Sequence, residues 1–294
     1  MDVLRPFDPW RSALCTCPPK YSLSPYTGCD HRCLYCYITA YIPHAFRCRP
    51  KRDFIKRLLR DLRRARLDWP VSISSSSDPY TGLEGEMGLT RVALRALLRR
   101  GFRVLLVTKS DLVVRDLDLI RRGNCSVSMT VTTLDARIAS RLEPGAPSPE
   151  RRARAIRKLT AGGVPCSARI DPIIPGVNDR DLDRVVRALA DAGVKHLVSS
   201  TFKAKADSLA RVTSAFPGLR EELVRLYRHG GGVRSGGAWY LPVKLRMEIL
   251  KAVREAAEAF GVTFAVCREG LERLNAAETC DGTHLIPSRP GRNL

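Results

Sequence analysis

The chain has 294 residues, 44% of them hydrophobic, which is enough for one large domain or two small ones. No apolar run reaches membrane-spanning length and the N-terminus lacks a charged-then-apolar leader, so the sequence predicts a cytoplasmic protein with no membrane span. The net charge of +20, nearly all of it from arginine, favours polyanionic partners such as nucleic acid, and ten cysteines in a reducing compartment read as metal ligands and buried thiols, not disulfides.

Residues 1–20 form an irregular lead-in with four prolines, carrying Cys15 and Cys17. Tyr21 to Tyr26 reads as a short strand that runs into a cysteine-rich loop, and 37–52 as an extended loop rich in aromatic and basic residues. Asp53 to Asp68 is helical, with Phe54, Leu58, Leu62 and Ala65 at helical spacing. Val71 to Ser74 is a strand; Thr90 starts a helix that ends at Gly101. Arg103 to Val107 is a strand, Ser110 caps a helix stopping at Gly123, and Cys125 to Val131 is a strand. Ser148-Pro149 starts a helix, because a proline in the first turn has no backbone N–H to waste. That helix ends at Gly162-Gly163. Val164 to Ile170 is a strand, Asp179 opens a helix ending at Gly193, and Val194 to Ser199 is a strand.

Six such alternations predict a parallel sheet with helices outside, an α/β partial (βα)6 barrel over 20–204, whose chemistry sits at the C-terminal ends of the strands. A lead-in of 1–19 precedes it. A C-terminal extension of 205–294 follows: helices over 205–229, a Gly-rich loop from Gly230 to Trp239-Tyr240, a long amphipathic helix over Pro242 to Phe260, a last strand over Val262 to Val266, and a terminal loop around Cys280 to His284.

The loop after the first strand reads Gly28-Cys29-Asp30-His31-Arg32-Cys33-Leu34-Tyr35-Cys36. Three thiolates spaced Cys-x3-Cys-x2-Cys suit three irons of a [4Fe–4S] cluster and leave a fourth iron without a protein ligand. The competing reading is zinc, with His31 as a further ligand. Cys29, Cys33 and Cys36 with Tyr35 before the last cysteine resemble the signature of the radical S-adenosylmethionine (SAM) superfamily. Ser-Pro-Tyr-x-Gly-Cys at 24–29 and Ser-Asp-Pro-Tyr at 77–80 resemble its spore photoproduct lyase-like (SplB-type) branch. The resemblance implies a (βα)6 fold and a cluster whose open iron is chelated by the amino and carboxylate groups of SAM. It also implies reductive cleavage of SAM to a 5′-deoxyadenosyl radical that abstracts a substrate hydrogen.

It further implies a SAM site along the strand ends, where small hydroxyl residues leave room and donate hydrogen bonds. Ser75, Ser77 and Asp78 are candidates for the SAM ammonium group, and Lys109 for its carboxylate, with Arg169 as a weaker candidate. Ser128 matches the strand-four hydroxyl and faces the barrel if Val127 and Met129 face out. Ile174, in the Ile170-to-Asp179 motif, flanks adenine, and Tyr35 stacks near it.

The remaining cysteines divide in two. Cys15, Cys17, Cys267 and Cys280 lie at the two ends of the chain, which often meet in a folded domain, and form a candidate auxiliary site for a second iron–sulfur cluster or zinc. Cys125 and Cys166, at strand starts, read as buried and inert, while Cys48 is a candidate fourth ligand or hydrogen-atom donor. Charge and branch together predict a monomeric enzyme acting on nucleic acid, in lesion repair or RNA base modification, served by a ferredoxin- or flavodoxin-type electron donor. Tyr37, Tyr41, Phe46, Trp239 and Tyr240, near Arg47, Arg49 and Arg234, are the candidate stacking and phosphate groups. The alternatives are a radical SAM enzyme modifying a peptide, lipid or small molecule, and a non-catalytic zinc protein that binds nucleic acid. One departure bears on the choice: Ser75 stands where spore photoproduct lyase carries a hydrogen-donating cysteine.

Overall fold

A computed structural model describes residues 1–7, 13–74 and 76–288. Its centre is one eight-stranded sheet: β1 (Leu4–Pro6), β2 (Tyr21–Leu23), β3 (Val71–Ile73), β4 (Val104–Thr108), β5 (Cys125–Thr130), β6 (Cys166–Ile173), β7 (His196–Thr201) and β8 (Thr263–Val266). The strands lie side by side in sequence order. Only β1 runs antiparallel; β2 to β8 are parallel. Among the described residues the two edge strands do not pair, so the barrel is partial, as the six βα units predict. The last strand, drawn from beyond the helical segment, joins the same sheet beside β7, with Val266 opposite Ser199.

The rhythm comes from strand ends and helix ends alike. The helices α1 (Phe54–Leu62), α2 (Leu89–Arg99), α3 (Pro149–Ala161), α4 (Leu182–Asp191) and α5 (Ala206–Ala215) follow their strands, and α6 (Val243–Ala259) precedes β8. α2, α3, α4 and α6 close in the same way, on a glycine with positive φ followed by an apolar residue: Gly101-Phe102, Gly163-Val164, Gly193-Val194 and Gly261-Val262. In each, the apolar residue's N–H reaches back into the helix, as Val164 N does to Leu159 O at 3.0 Å. This is the left-handed glycine cap, which satisfies carbonyls the helix leaves open. It also explains why β6 and β7 start at Cys166 and His196, two residues later than expected: Val164 and Val194 still belong to the caps.

Alternation along the strands separates two faces. Cys125, Val127 and Met129 of β5, and Cys166, Ala168 and Ile170 of β6, join the apolar core under the helices. Ser126, Ser128 and Thr130, with Ser167, Arg169 and Asp171, point the other way, into the barrel. Cys125 and Cys166 are therefore core thiols, and burial alone pushes Cys166 up to about 12.

Several local expectations change. The first strand stops at Leu23, before Pro25, and Tyr26–Thr27 pairs instead with Arg49–Pro50 in a separate ribbon. Thr90 does not cap α2; it is buried one residue inside it, with its hydroxyl donated to Pro79 O at 2.5 Å. Asp179 does not cap α4, which starts after Asp181; its carboxylate accepts from Gly176 N at 2.9 Å and fixes the preceding turn. Ser110 and Ser148 do cap, accepting from Leu112 N and Arg151 N. The Gly-rich stretch after Gly230 is a hairpin, Val233–Ser235 against Ala238–Tyr240, turning on Gly236-Gly237, both with positive φ. No helix among the described residues is long and apolar enough to cross a membrane.

Candidate active site

The cysteine loop sits at the C-terminal mouth of the sheet, and its shape is imposed from three sides. From its own segment, Cys29 N donates to Ala45 O at 2.8 Å. From the segment after β5, Leu142 O at the end of a short helix accepts from Leu34 N at 2.8 Å, and Gly145 N donates to His31 O at 2.9 Å. The approach at Gly145 is so close that a Cβ there would lie 2.1 Å from Asp30 O. From α5, Arg211 donates to Leu34 O at 2.9 Å and to Cys36 O at 2.8 Å, and its Nη2 also reaches Thr39 Oγ1 at 3.1 Å. Cys29 and Cys33 are buried and Cys36 is partly so.

Behind the loop lies a buried charged layer that the sequence did not reveal. Glu143 and Arg152, each 1% exposed, form an ion pair at 2.5 Å, and Tyr35 donates its phenol to the other oxygen of Glu143. Burial works against the Glu143 anion, but Arg152 and Lys109 outweigh it and hold its carboxyl below the ordinary range. Lys109 lies with its Nζ 5.6 Å from the centre of the Tyr35 ring. Burial disfavours its ammonium; the charges of Cys33 and Glu143 prevail and raise its pKa. Burial pushes the Cys33 thiol up to about 12, with Lys109 opposing. As a cluster ligand the sulfur binds as thiolate, and Lys109 is the cation placed to favour that form.

Asp78 holds the mouth together. Its carboxylate accepts from Tyr80 N at 2.9 Å, Thr108 Oγ1 at 2.7 Å and Lys109 N at 2.7 Å, and His31 Nδ1 lies 3.5 Å away. It clamps the Ser-Asp-Pro-Tyr turn to the end of β4, so most of its acceptor capacity is already engaged. Ser77 lies beside it, 2% exposed. Ser75 lies outside the described residues. Its neighbour Ser74 takes a left-handed φ of 81° and donates to Ser77 O at 2.7 Å.

On the far side of the barrel, Arg169 pairs with Asp171 at 2.7 Å and hydrogen-bonds Cys267, so the structure gives it protein partners. Ile174 is fully buried, and its N–H donates to Asn178 Oδ1 at 2.7 Å. Asn178 in turn donates to Thr132 O and Pro172 O, tying the β6 loop to the end of β5. Asn178 and Arg211 are positioning residues that the sequence did not single out. Cys48 shares a hydrogen bond with Thr81 at 3.4 Å, close to Asp30.

The residues at the mouth fit a cluster and SAM. Among the described residues, Ser77 Oγ, Ser128 Oγ and Thr132 Oγ1 are buried without a hydrogen-bond partner. Orphaned buried hydroxyls are unfavourable in a closed protein, and a polar ligand among them would satisfy them. Ser128 faces the barrel because Val127 and Met129 face the helices. Cys29, Cys33 and Cys36 would hold the cluster, and Ser77, Ser128, Thr132 and Lys109 would face SAM.

Comparison with known proteins agrees with this geometry. The sequence profile described as the Radical SAM superfamily matches residues 23–189. An uncharacterized protein of Methanocaldococcus jannaschii is 32% identical over 169 residues, 54% of this chain and 62% of that protein. An uncharacterized protein of Mycobacterium tuberculosis is 29% identical over 240 residues, 72% of this chain and 68% of that one. The radical SAM Nalpha-GlyT isomerase of Pseudomonas phage M6 is 23% identical over 260 residues, 83% of this chain and 53% of the isomerase. The chain thus spans roughly half to two thirds of these relatives' lengths. Spore photoproduct lyase, solved with bound AdoMet and a dinucleoside spore photoproduct, superposes with a TM-score of 0.66 at 19% identity, covering 88% of this chain and 79% of that one. At that identity the likeness establishes the fold, the partial barrel expected from the βα rhythm. Since the profile spans more than half of the chain and takes in both the cysteine loop and the strand ends that face it, the chain belongs to the radical SAM superfamily.

Proposed function

We propose that this radical SAM enzyme acts on a nucleic acid, taking an unstacked base at the mouth of the barrel. Bound SAM supplies a 5′-deoxyadenosyl radical for hydrogen abstraction in this superfamily. The chain's own residues must therefore deliver a substrate C–H to the space beside Cys29, Cys33 and Cys36.

The observation that carries the reading is the rim of the mouth. Tyr37 and Tyr41 lie with ring centroids 6.1 Å apart and are 39% and 42% exposed. Arg268 is close enough to Tyr37 to act on its charge, and Gly236 of the hairpin lies beside the Arg268 guanidinium. The hairpin presents Trp239 with Arg228 and Arg234 over its ring, at 4.9 and 5.4 Å. Trp239 is bonded in both directions to Ala204, just beyond β7. Aromatic rings interleaved with arginines are the elements of single-strand recognition, where bases stack on rings and cations follow phosphates. The +20 charge supports the same partner. The fold is shared with an enzyme solved with a dinucleoside spore photoproduct, and a 23%-identical relative is named as a radical SAM Nalpha-GlyT isomerase. We assign electron delivery to a ferredoxin- or flavodoxin-type donor.

The test is fluorescence anisotropy with labelled single-stranded and stem–loop DNA and RNA across a salt series, followed by 5′-deoxyadenosine release with each oligonucleotide. Binding should weaken steeply with salt. Tyr37→Ala or Trp239→Ala should lower affinity by roughly 5- to 150-fold, the range of one base–aromatic stack. If no nucleic acid alters 5′-deoxyadenosine release while a peptide or small molecule does, the substrate reading is wrong.

A further inference from the structure

A second group of cysteines gathers away from the loop at the mouth. Cys15 and Cys17 belong to the segment between β1 and β2, Cys267 follows β8 directly, and Cys280 lies in the terminal loop. They come from the two ends of the sheet, whose edge strands do not pair. Cys280 Sγ and Cys17 Sγ are 3.6 Å apart. Cys15 hydrogen-bonds Cys17 in turn. Cys267 is close enough to interact electrostatically with the other three, and its N–H donates to Ser199 O at 2.8 Å, which holds it at the edge of the sheet.

The surroundings are those of a charged centre. Cys125 and Cys166 pack in the apolar core, as buried thiols ordinarily do. The other four pack against one another and against cations. Lys20, 3% exposed, hydrogen-bonds Cys17 and pairs with Asp281, the residue after Cys280. Arg169, itself paired with Asp171, hydrogen-bonds Cys267. Four thiolates around a divalent metal leave negative charge, which Lys20 and Arg169 would offset. The Cys17–Cys280 separation has its own meaning. With metal–sulfur bonds of about 2.3 Å, two thiolates on one tetrahedral metal atom lie about 3.8 Å apart. No three His, Cys, Asp or Glu side chains among the described residues converge on a single point, so binding would draw Cys15 and Cys267 inward by side-chain rotation.

We infer that Cys15, Cys17, Cys267 and Cys280 form a second, thiolate-ligated metal site, distinct from the cysteine loop, that joins the two ends of the partial barrel. Its ligand is a thiophilic metal, held as one zinc ion or as an iron–sulfur cluster. The inference does not depend on the identity of the substrate.

The experiment uses the full chain with Cys29, Cys33 and Cys36 all replaced by Ala, reconstituted anaerobically with iron and sulfide or with zinc. Metal and acid-labile sulfide are counted per chain. The variant should keep about one zinc, or about two to four irons with matching sulfide, and adding Cys17→Ser and Cys280→Ser should remove them. Zinc without sulfide identifies the ion; iron with sulfide identifies the cluster. On the otherwise unaltered chain, the same two serine substitutions should lower the metal count equally and leave the reduced cluster's electron paramagnetic resonance signal at the cysteine loop in place. That arm stands even if the multiple variant fails to fold. Stoichiometric metal absent from the unaltered chain beyond one cluster, metal retained after the serine substitutions, or a Cys17–Cys280 disulfide in anaerobically prepared protein would each overturn the assignment.

Discussion

The buried carboxylate of Glu143 accepts the phenol of half-buried Tyr35 at one oxygen and the guanidinium of buried Arg152 at the other. It therefore couples the aromatic of the cysteine loop to α3, on the far side of the loop that follows β5. Removing one member of such a set leaves a buried charge uncompensated. Glu143→Ala should lower stability by about 3–5 kcal/mol, whereas Tyr35→Phe, which deletes one hydrogen bond, should lower it by about 1–3 kcal/mol. Urea unfolding of the metal-free chains measures both, and equal effects would show that Arg152 finds another partner.

The cysteine loop and the loop after β5 touch backbone to backbone at Gly145. Gly145→Ala puts a methyl 2.1 Å from Asp30 O. One loop must move, at a cost of roughly 1–3 kcal/mol. The expected outcome is a lower iron content at Cys29, Cys33 and Cys36 with the helix content unchanged, read by iron analysis and circular dichroism. Full iron loading in the alanine variant would mean that the contact does not shape the loop.

Arg211 fastens α5 to two carbonyls of the loop. Arg211→Ala should speed loss of iron to a chelator, with roughly 1.5–3 kcal/mol of support removed for bonds from a charged donor. Arg211→Lys should restore little, since an ammonium lacks the fork that reaches Leu34 O and Cys36 O together. Recovery of the original rate by lysine would reduce the role to charge.

Each of Cys29→Ala, Cys33→Ala and Cys36→Ala should abolish the brown colour and 5′-deoxyadenosine formation. Any single variant that keeps full SAM cleavage would remove that cysteine from the cluster.

His196 makes the fold sensitive to mild acid. Burial, and secondarily His284 at a ring distance of 4.9 Å, bring its pKa down from 6.5 to about 4. The folded state thus binds its proton later than the unfolded state does. The stabilisation is complete above pH 6.5 and is lost as the pH falls from 6.5 towards 4, by roughly 3 kcal/mol at the lower end. His196→Gln should flatten stability against pH across that window in denaturant titrations. An unchanged slope would place the acid sensitivity elsewhere.

What could be read from the sequence follows from the range of the interactions. The cysteine loop was legible because its chemistry lies within eight consecutive residues. The strands were legible because Ser126, Ser128 and Ser167 alternate with apolar neighbours, and the helix ends because Gly163-Val164 and Gly193-Val194 repeat one local motif. Glu143 and Arg211 were not legible. Glu143 looks like a loop residue before Pro144, and Arg211 is one arginine among many; each acquires its role from a partner more than a hundred positions away. Asn178 lay inside a recognised motif, but its target, Thr132 O, is 46 residues upstream. The hairpin at Gly236-Gly237 had a local signature, obscured by the glycines that surround it.

The bond between Lys20 and Asp281 spans 261 positions. A sheet laid down strand by strand in sequence order can grow as the chain emerges, but its two ends are joined only when residue 281 is in place. Until then Lys20 lacks its Asp281 partner and Cys17 lacks Cys280. Joining the two ends therefore requires a contact of very high sequence separation, and a chain interrupted after α5 would carry every residue of the cysteine loop on a sheet that lacks β8.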